Sequence, residues 1–192
     1  MLRHVRKLAG FAALATVALT VPMSASPAEA ASGWNSLSRF TIRSAATGKC
    51  LEVADWSTAR GAAIRQWDCH GGANQKWTYV PVNGRTWDVQ IRNVNSGMCI
   101  DIPYASNANG VGLMQYPCKT GVTSTADQNQ FFHRAQAYGP QRSEVRFETW
   151  TSGFYKAIDI PGWNTADGVR AIQYDVNGGA NQIFYDGGQG WN

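Results

Sequence analysis

Asn74-Gln75-Lys76-Trp77, Asn129-Gln130-Phe131-Phe132 and Asn181-Gln182-Ile183-Phe184 are one motif written three times: Asn-Gln, then an aromatic two residues after the Gln. One copy would carry no weight. Three copies about fifty residues apart mark a repeated structural unit, and an internal repeat outranks local propensity as a guide to the fold. Working outward, Cys50-Leu51-Glu52-Val53 aligns with Cys99-Ile100-Asp101-Ile102 and with Ala157-Ile158-Asp159-Ile160. Fifteen residues after each acid stands an aromatic, Trp67, Tyr116 or Tyr174. Six residues before that aromatic stands Gly61, Gly110 or Gly168, and two after it Cys69, Cys118 or Val176.

The same frame pairs the cysteines. Four Cys allow three connectivities. Cys50 to Cys69, Cys99 to Cys118 and Ala157 to Val176 each span 19 positions. The repeat therefore selects Cys50–Cys69 and Cys99–Cys118, one bridge inside each of the first two units. Unit three replaces both Cys together with apolar residues, as a bridge facing the core would permit. Each bridge closes a loop of about twenty residues, worth roughly 3 kcal/mol on chain-entropy grounds.

Composition agrees. The 192 residues are 16% charged, 44% apolar and 11% aromatic, with 8 Trp and 20 Gly. That supplies a core, excludes a disordered chain and favours a turn-rich β protein over a helical bundle. Residues 1–30 read as a secretory leader: basic Arg3, His4, Arg6 and Lys7, an apolar run from Leu8 to Val21, then the small-x-small site Ala28-Glu29-Ala30. Past it no apolar run reaches the length of a membrane span. Cleavage after Ala30 would remove Arg3, Arg6, Lys7 and Glu29, lowering the formal net charge from +4 to +2. So slight a positive charge is no sign of a nucleic-acid-binding face. Secretion into an oxidising space suits two disulfides. One domain is expected over 31–192, with units at about 38–82, 83–135 and 142–188.

Segments such as Arg39-Phe40-Thr41-Ile42-Arg43 and Val89-Gln90-Ile91-Arg92 alternate apolar and polar residues, as half-buried strands do. Turn signals follow at Thr47-Gly48, Ser96-Gly97 and Ser152-Gly153. Each unit has room for about four short strands. Three such units predict an all-β structure of pseudo-threefold symmetry that closes on itself and so removes its sheet edges. The units differ in their loops. Six steps separate the second Cys position from the Gln in units one and three, but 12 do so in unit two. The surplus falls in a polar surface loop at Lys119–Asp127.

Taken together, three Gln-x-aromatic repeats, each with a Cys-x-Asp-Val-like segment and a later aromatic-x-Cys, resemble the ricin B-type lectins (family 13 carbohydrate-binding modules) over about Ser38 to Tyr185. The resemblance implies a β-trefoil with one shallow sugar site per unit. In such a site the acid accepts hydrogen bonds from sugar hydroxyls, the later aromatic stacks on a pyranose face, and the Asn reads a further hydroxyl. The Gln and its trailing aromatic hold the core. Carried onto this chain, the sites are Glu52, Trp67 and Asn74 in unit one, Asp101, Tyr116 and Asn129 in unit two, and Asp159, Tyr174 and Asn181 in unit three.

These residue types suit a sugar. A flat ring matches the apolar face of a pyranose, a carboxylate accepts from adjacent hydroxyls, and an amide both donates and accepts. No cofactor is needed, and no His or carboxylate cluster has metal-ligand spacing. Each residue also has a plain alternative, since the acids could support turns and the aromatics could be scaffold. Trp56, Tyr104 and Trp163, three or four residues after each acid, could wall the pockets or pack their own loops. The sequence departs from the family pattern at Glu52, one methylene longer than Asp. It departs again two residues before each stacking aromatic, where Arg65, Met114 and Ile172 replace a common Gln. The expectation is a secreted, monomeric, non-enzymatic lectin. Its ligand would be a galactose-type glycan or a polysaccharide such as xylan or arabinan, with neither nucleic acid nor membrane insertion involved. A protein-binding or protease-inhibiting trefoil, or a small glycoside hydrolase, is the alternative.

Overall fold

Alternation translates directly into strands. In Glu144-Val145-Arg146-Phe147-Glu148-Thr149 the residues Val145, Phe147 and Thr149 are buried while their neighbours are only partly covered, the period of two expected of a sheet with one face on a core. The computed structural model describes residues 39–120, 125–137 and 144–187. The predicted leader at 1–30, the opening of unit one at 38, the middle of the Lys119–Asp127 loop and the ends of unit three at 142 and 188 lie outside the described residues.

Unit one contributes β1 (Arg43–Ser44), β2 (Cys50–Val53), β3 (Ile64–Trp67) and β4 (Trp77–Val82). Unit two contributes β5 (Arg85–Asn93), β6 (Cys99–Asp101), β7 (Val111–Gly112), β8 (Met114–Tyr116) and β9 (Phe132–Gln136). Unit three contributes β10 (Glu144–Thr149), β11 (Lys156–Asp159), β12 (Ile172–Asp175) and β13 (Phe184–Tyr185). The other regular elements among the described residues are short 3₁₀ turns.

The pairing divides these strands into a barrel and a cap. Antiparallel ladders run β4·β5, β5·β9, β9·β10, β10·β13 and β13·β1. The ring is completed by Phe40, whose backbone exchanges two hydrogen bonds with Trp77 at 3.1 and 2.9 Å. Units one and two join through Asn83-Gly84, both at positive φ (52° and 71°), as a two-residue hairpin turn requires. Three hairpins, β2·β3, β6·β8 and β11·β12, cap one end. They meet at a cyclic triangle in which Ile64 N–H donates to Leu113 C=O at 3.1 Å, Leu113 to Ala171 at 2.9 Å and Ala171 to Ile64 at 2.9 Å. These three positions are equivalent in the repeat, so the triangle marks the pseudo-threefold axis. The fold is a β-trefoil.

Leu51, Ile100 and Ile158, with Trp77, Phe132 and Phe184, fill equivalent places in one core and are fully buried. Each contributes about 1.5–3 kcal/mol. The trailing aromatic of every Asn-Gln motif is thus a core residue, and Trp77 also donates its indole N–H to Leu51 C=O at 3.1 Å.

Both disulfides form as the repeat requires, with Cα–Cα separations of 5.1 Å for Cys50–Cys69 and 5.0 Å for Cys99–Cys118. They do not face the core, however. Cys50 and Cys99 are buried, but Cys69 is exposed, and in unit three Ala157 is buried while Val176 is exposed. The second position lies just beyond its strand, where the chain turns out to the surface, so each bridge staples a loop to the cap.

Candidate functional site

The register of the cap hairpins decides what meets what. Glu52 pairs with Arg65 and Cys50 with Trp67. Asp101 pairs with Met114 and Cys99 with Tyr116, Asp159 with Ile172 and Ala157 with Tyr174. Residues two apart on a strand share a face. Each acid therefore stands on the same side of its hairpin as the aromatic diagonally across from it, with residue 65, 114 or 172 beside that ring.

In unit two the acid lies at the floor of an open cleft of about 690 Å³, lined by Asp101, Tyr116, Asn129, Tyr104, Lys119 and Arg60 among others. Asp101 is buried, yet its Oδ1 accepts from Asn129 Nδ2 and its Oδ2 from Gln130 Nε2, both at 2.9 Å. Burial pushes the Asp101 carboxyl above its usual value, opposed by the Gln130 hydrogen bond, the Lys119 charge and the Asn129 hydrogen bond. Tyr116 is 37% exposed, with its ring available at the rim.

The amide of Asn129 is largely spent inside the protein. Its Nδ2 also donates to Ile102 C=O at 2.9 Å, and its Oδ1 accepts from Lys119 Nζ at 2.7 Å. Asn129 thus positions the carboxylate. Gln130, expected to serve the core, does the same from the other side and also donates to Pro117 C=O at 3.0 Å.

Unit three repeats the arrangement. Asp159 Oδ2 accepts from Asn181 at 2.7 Å and Gln182 at 2.8 Å, and burial raises its carboxyl as well, against the hydrogen bonds from Gln182 and Asn181. Tyr174 is exposed beside it.

Unit one brings Glu52, Asn74 and Gln75 together in the same way, with donors at 3.2 and 3.1 Å. Its carboxylate is already engaged, though. Glu52 Oε1 accepts from Arg65 Nε at 2.9 Å, and Oε2 lies 3.3 Å from His70 Nε2. The Arg65 guanidinium lies over the Trp67 ring, 4.4 Å from its centroid, and also donates to Asp55 at 3.0 Å. The ring face that the sequence offered to a ligand is covered by the protein's own arginine. The cleft that remains, about 430 Å³, is lined by Glu52, Asp55, Trp56, Arg65, Trp67 and His70.

Beside each acid the backbone makes the same strained turn, with two successive residues at positive φ: Asp55-Trp56 (54°, 55°), Tyr104-Ala105 (57°, 51°) and Gly162-Trp163 (63°, 56°). Non-glycine residues there cost of order 1–3 kcal/mol each, which the surrounding fold must offset. The turn throws a side chain over the pocket edge. Trp56 lies on the backbone of Gly72, where a Cβ would come within 2.3 Å of the indole, and Trp163 lies similarly on Gly179 at 2.9 Å. The matching residue in unit two is Ala105, which leaves that cleft open on the same side. Tyr104, one position earlier, is fully exposed.

A protein-family model described as ricin-type β-trefoil lectin domain-like matches residues 30–116. Over that stretch the chain resembles a ricin-type β-trefoil lectin-like domain. Among solved structures, the designed threefold-symmetric protein ThreeFoil superposes with a TM-score of 0.67 and 28% identity, over 77% of this chain and 96% of that one. The exo-β-1,3-galactanase 1,3Gal43A from Clostridium thermocellum gives 0.68 and 29%, over 78% of this chain but 30% of the enzyme. The ricin B-like lectin of Macrolepiota procera, solved with lactose, shares the fold at 0.61 and 16%, over 77% of this chain and 93% of that one.

Three residues that position the clefts are not singled out by the repeat. Gln66, Gln115 and Gln173 directly precede the rim aromatics and are fully buried. Gln66 donates to Asn164 and Ala166 C=O, Gln115 to Ser57 and Ala59, and Gln173 to Ser106 and Ala108, all at 2.6–3.1 Å. Each unit thereby clamps the loop of another unit beside its own cleft. The signal was present as a Gln-aromatic dipeptide at one register in all three copies, but its cross-unit partners cannot be read from a linear string. Among the described residues no group of three or more His, Cys, Asp or Glu could hold a metal, and no helix is long and apolar enough to cross a membrane.

Proposed function

We propose that this chain is a secreted lectin that binds galactose-type sugars at Asp101 with Tyr116 and at Asp159 with Tyr174, without chemistry of its own. The observation that carries the reading is the buried Asp101 carboxylate, fixed by Asn129 and Gln130 at the floor of an open cleft with Tyr116 at its rim. A carboxylate so held needs no reorganisation to accept two hydroxyls, and the ring offers the apolar platform. The galactanase and the lactose-bound lectin favour a galactose-type ligand over xylan or arabinan. The two disulfides support secretion. Binding is favoured over hydrolysis because Asp101 is the one carboxylate among the residues lining the unit-two cleft, where a glycosidase needs a facing pair.

A single shallow site of this kind binds in the millimolar range, about −4 kcal/mol. Two on one rigid body raise avidity on a branched glycan by roughly 10²–10⁴-fold where the ligand spans them. A glycan array with titration calorimetry on lactose tests the reading. Asp101→Ala combined with Asp159→Ala should abolish the signal while leaving the circular dichroism spectrum unchanged. Retained binding in a folded double variant would rule these sites out.

A further inference from the structure

The three units handle one surface position differently. In unit one, Lys49 Nζ bonds Asp167 at 2.7 Å and also Asp68, and Asp167 accepts from the Asp68 backbone at 2.9 Å. In unit three, Lys156 bonds Asp175 and Asn109, and Asn109 donates to Asp175 at 2.7 Å. Each knot ties the loop of one unit to the cleft rim of the next.

The equivalents of these knot residues around the unit-two cleft are Met98, Pro117 and Arg60. The lysine is gone, the acid is gone, and the loop residue has become a cation. Arg60 is exposed, lies 5.8 Å from the centroid of the Tyr116 ring, and pairs with no carboxylate among the described residues. Its loop is held in place by Gln115, which donates to Ser57 and Ala59 C=O at 2.9 and 2.8 Å. Lys119 lines the same cleft beside Asn129 and lies 3.8 Å from Asp127. At Arg60's place the unit-one knot instead has Asp167, held by the Asp68 backbone and Lys49.

We propose that the unit-two cleft selects a pyranose bearing an anionic substituent. Asp101 accepts its hydroxyls, Tyr116 carries its ring, and Arg60, supported by Lys119, takes its charge. The inference rests on the sugar-binding reading above and adds the ligand's charge class. A neutral hexose uses Asp101 and Tyr116 but leaves Arg60 idle. An acidic one gains a charge-assisted contact that the fold has released from structural duty. Asp101 repels such a group, but it lies buried at the floor while Arg60 stands at the rim, so a substituent pointing outward meets the cation first.

Calorimetry with methyl galactoside, its 6-carboxylate (methyl galacturonoside) and its 6-sulfate, in a protein whose unit-three site is removed by Asp159→Ala, tests this. Both or either of the acidic probes should bind about three- to tenfold tighter than the neutral one at low salt. That advantage should shrink at about 0.5 M salt, where the Debye length is only a few ångströms. Arg60→Met should lower affinity for the acidic probes more than for the neutral one, and the carboxylate-to-sulfate ratio then names the anion. Equal or weaker binding of both acidic probes, with the neutral one still bound, overturns the charge class and leaves the lectin reading standing. Failure of all three probes overturns both.

Discussion

Unit one should become a binding site when its own arginine is removed. The substitution is Arg65→Met, because Met114 is what unit two carries at the equivalent place, and the nearest guanidinium there, Arg60, stands 5.8 Å from the Tyr116 centroid against 4.4 Å for Arg65 over Trp67. Arg65 makes one charge-assisted hydrogen bond to a buried carboxylate, Glu52 at 2.9 Å, worth about 1.5–3 kcal/mol. Its guanidinium over Trp67 adds about 0.5–1 kcal/mol. Its contact with Asp55 counts for little, because that carboxylate is 81% exposed. Apolar contact by the new Met returns about 1 kcal/mol. The net loss is about 1–3 kcal/mol, which lowers the urea midpoint by about 1 M for a domain of this size. The gain is an open Trp67 face and a carboxylate still oriented by Asn74 and Gln75. Calorimetry on a galactose-type ligand should show one more site than the wild type, and Trp67→Ala added to the variant should remove it. The reasoning is refuted if the wild type already loses a site on Trp67→Ala, or if Arg65→Met costs stability without adding one.

Acidification should weaken binding before it reaches the ordinary carboxylate range, because burial raises Asp101 and Asp159 and the bound hydroxyls need the anions. The same raised values make the folded state hold these protons more tightly than the unfolded one. Their contribution to stability is therefore fullest below the unfolded carboxylate value and is lost as pH rises through the raised values. A titration from pH 7 to 4.5 should thus separate falling affinity from this stability term, which moves the other way. Gln115→Leu should cost about 1–3 kcal/mol by leaving two loop carbonyls unpaired. It should also weaken unit-two binding more than unit-three binding, measured against Asp159→Ala and Asp101→Ala backgrounds. Arg134→Met should cost about 3–5 kcal/mol in a chemical denaturation curve, since it takes the cation from the fully buried carboxylate of Asp186, which also accepts from Tyr79 at 2.8 Å.

The repeat made the fold legible, and the reason is physical. Three copies of a unit too small to bury its own apolar face must share one core, and a fixed register of acid, glycine, aromatic and cysteine carries through that packing. Hence the strands and the closure could be read from alternation and repeat, and both disulfide pairings from spacing, while the grouping of nine residues into three equivalent clusters was what the family resemblance implied. Spacing did not reveal the division of labour inside a cluster. Asn129 and Asn-Gln partners generally hydrogen-bond to the acid because both amides are buried beneath it, and burial depends on how hairpin and 3₁₀ turn pack. The apolar pair Ala157 and Val176 likewise suggested bridges against the core, whereas the chain turns outward after each cap strand.

By itself, the order of residues determined a threefold β architecture and the equivalent places of acid, ring and amide in each unit, because a repeated register must carry through a shared core. Tertiary structure decided what reaches each ring from elsewhere. Arg65 covers Trp67 from two positions away on the same strand, a proximity the strand alternation already contains, but Arg60 reaches Tyr116 from a loop of another unit. That second kind of contact arises where separate units meet around a common axis, and distance along the chain says nothing about proximity there.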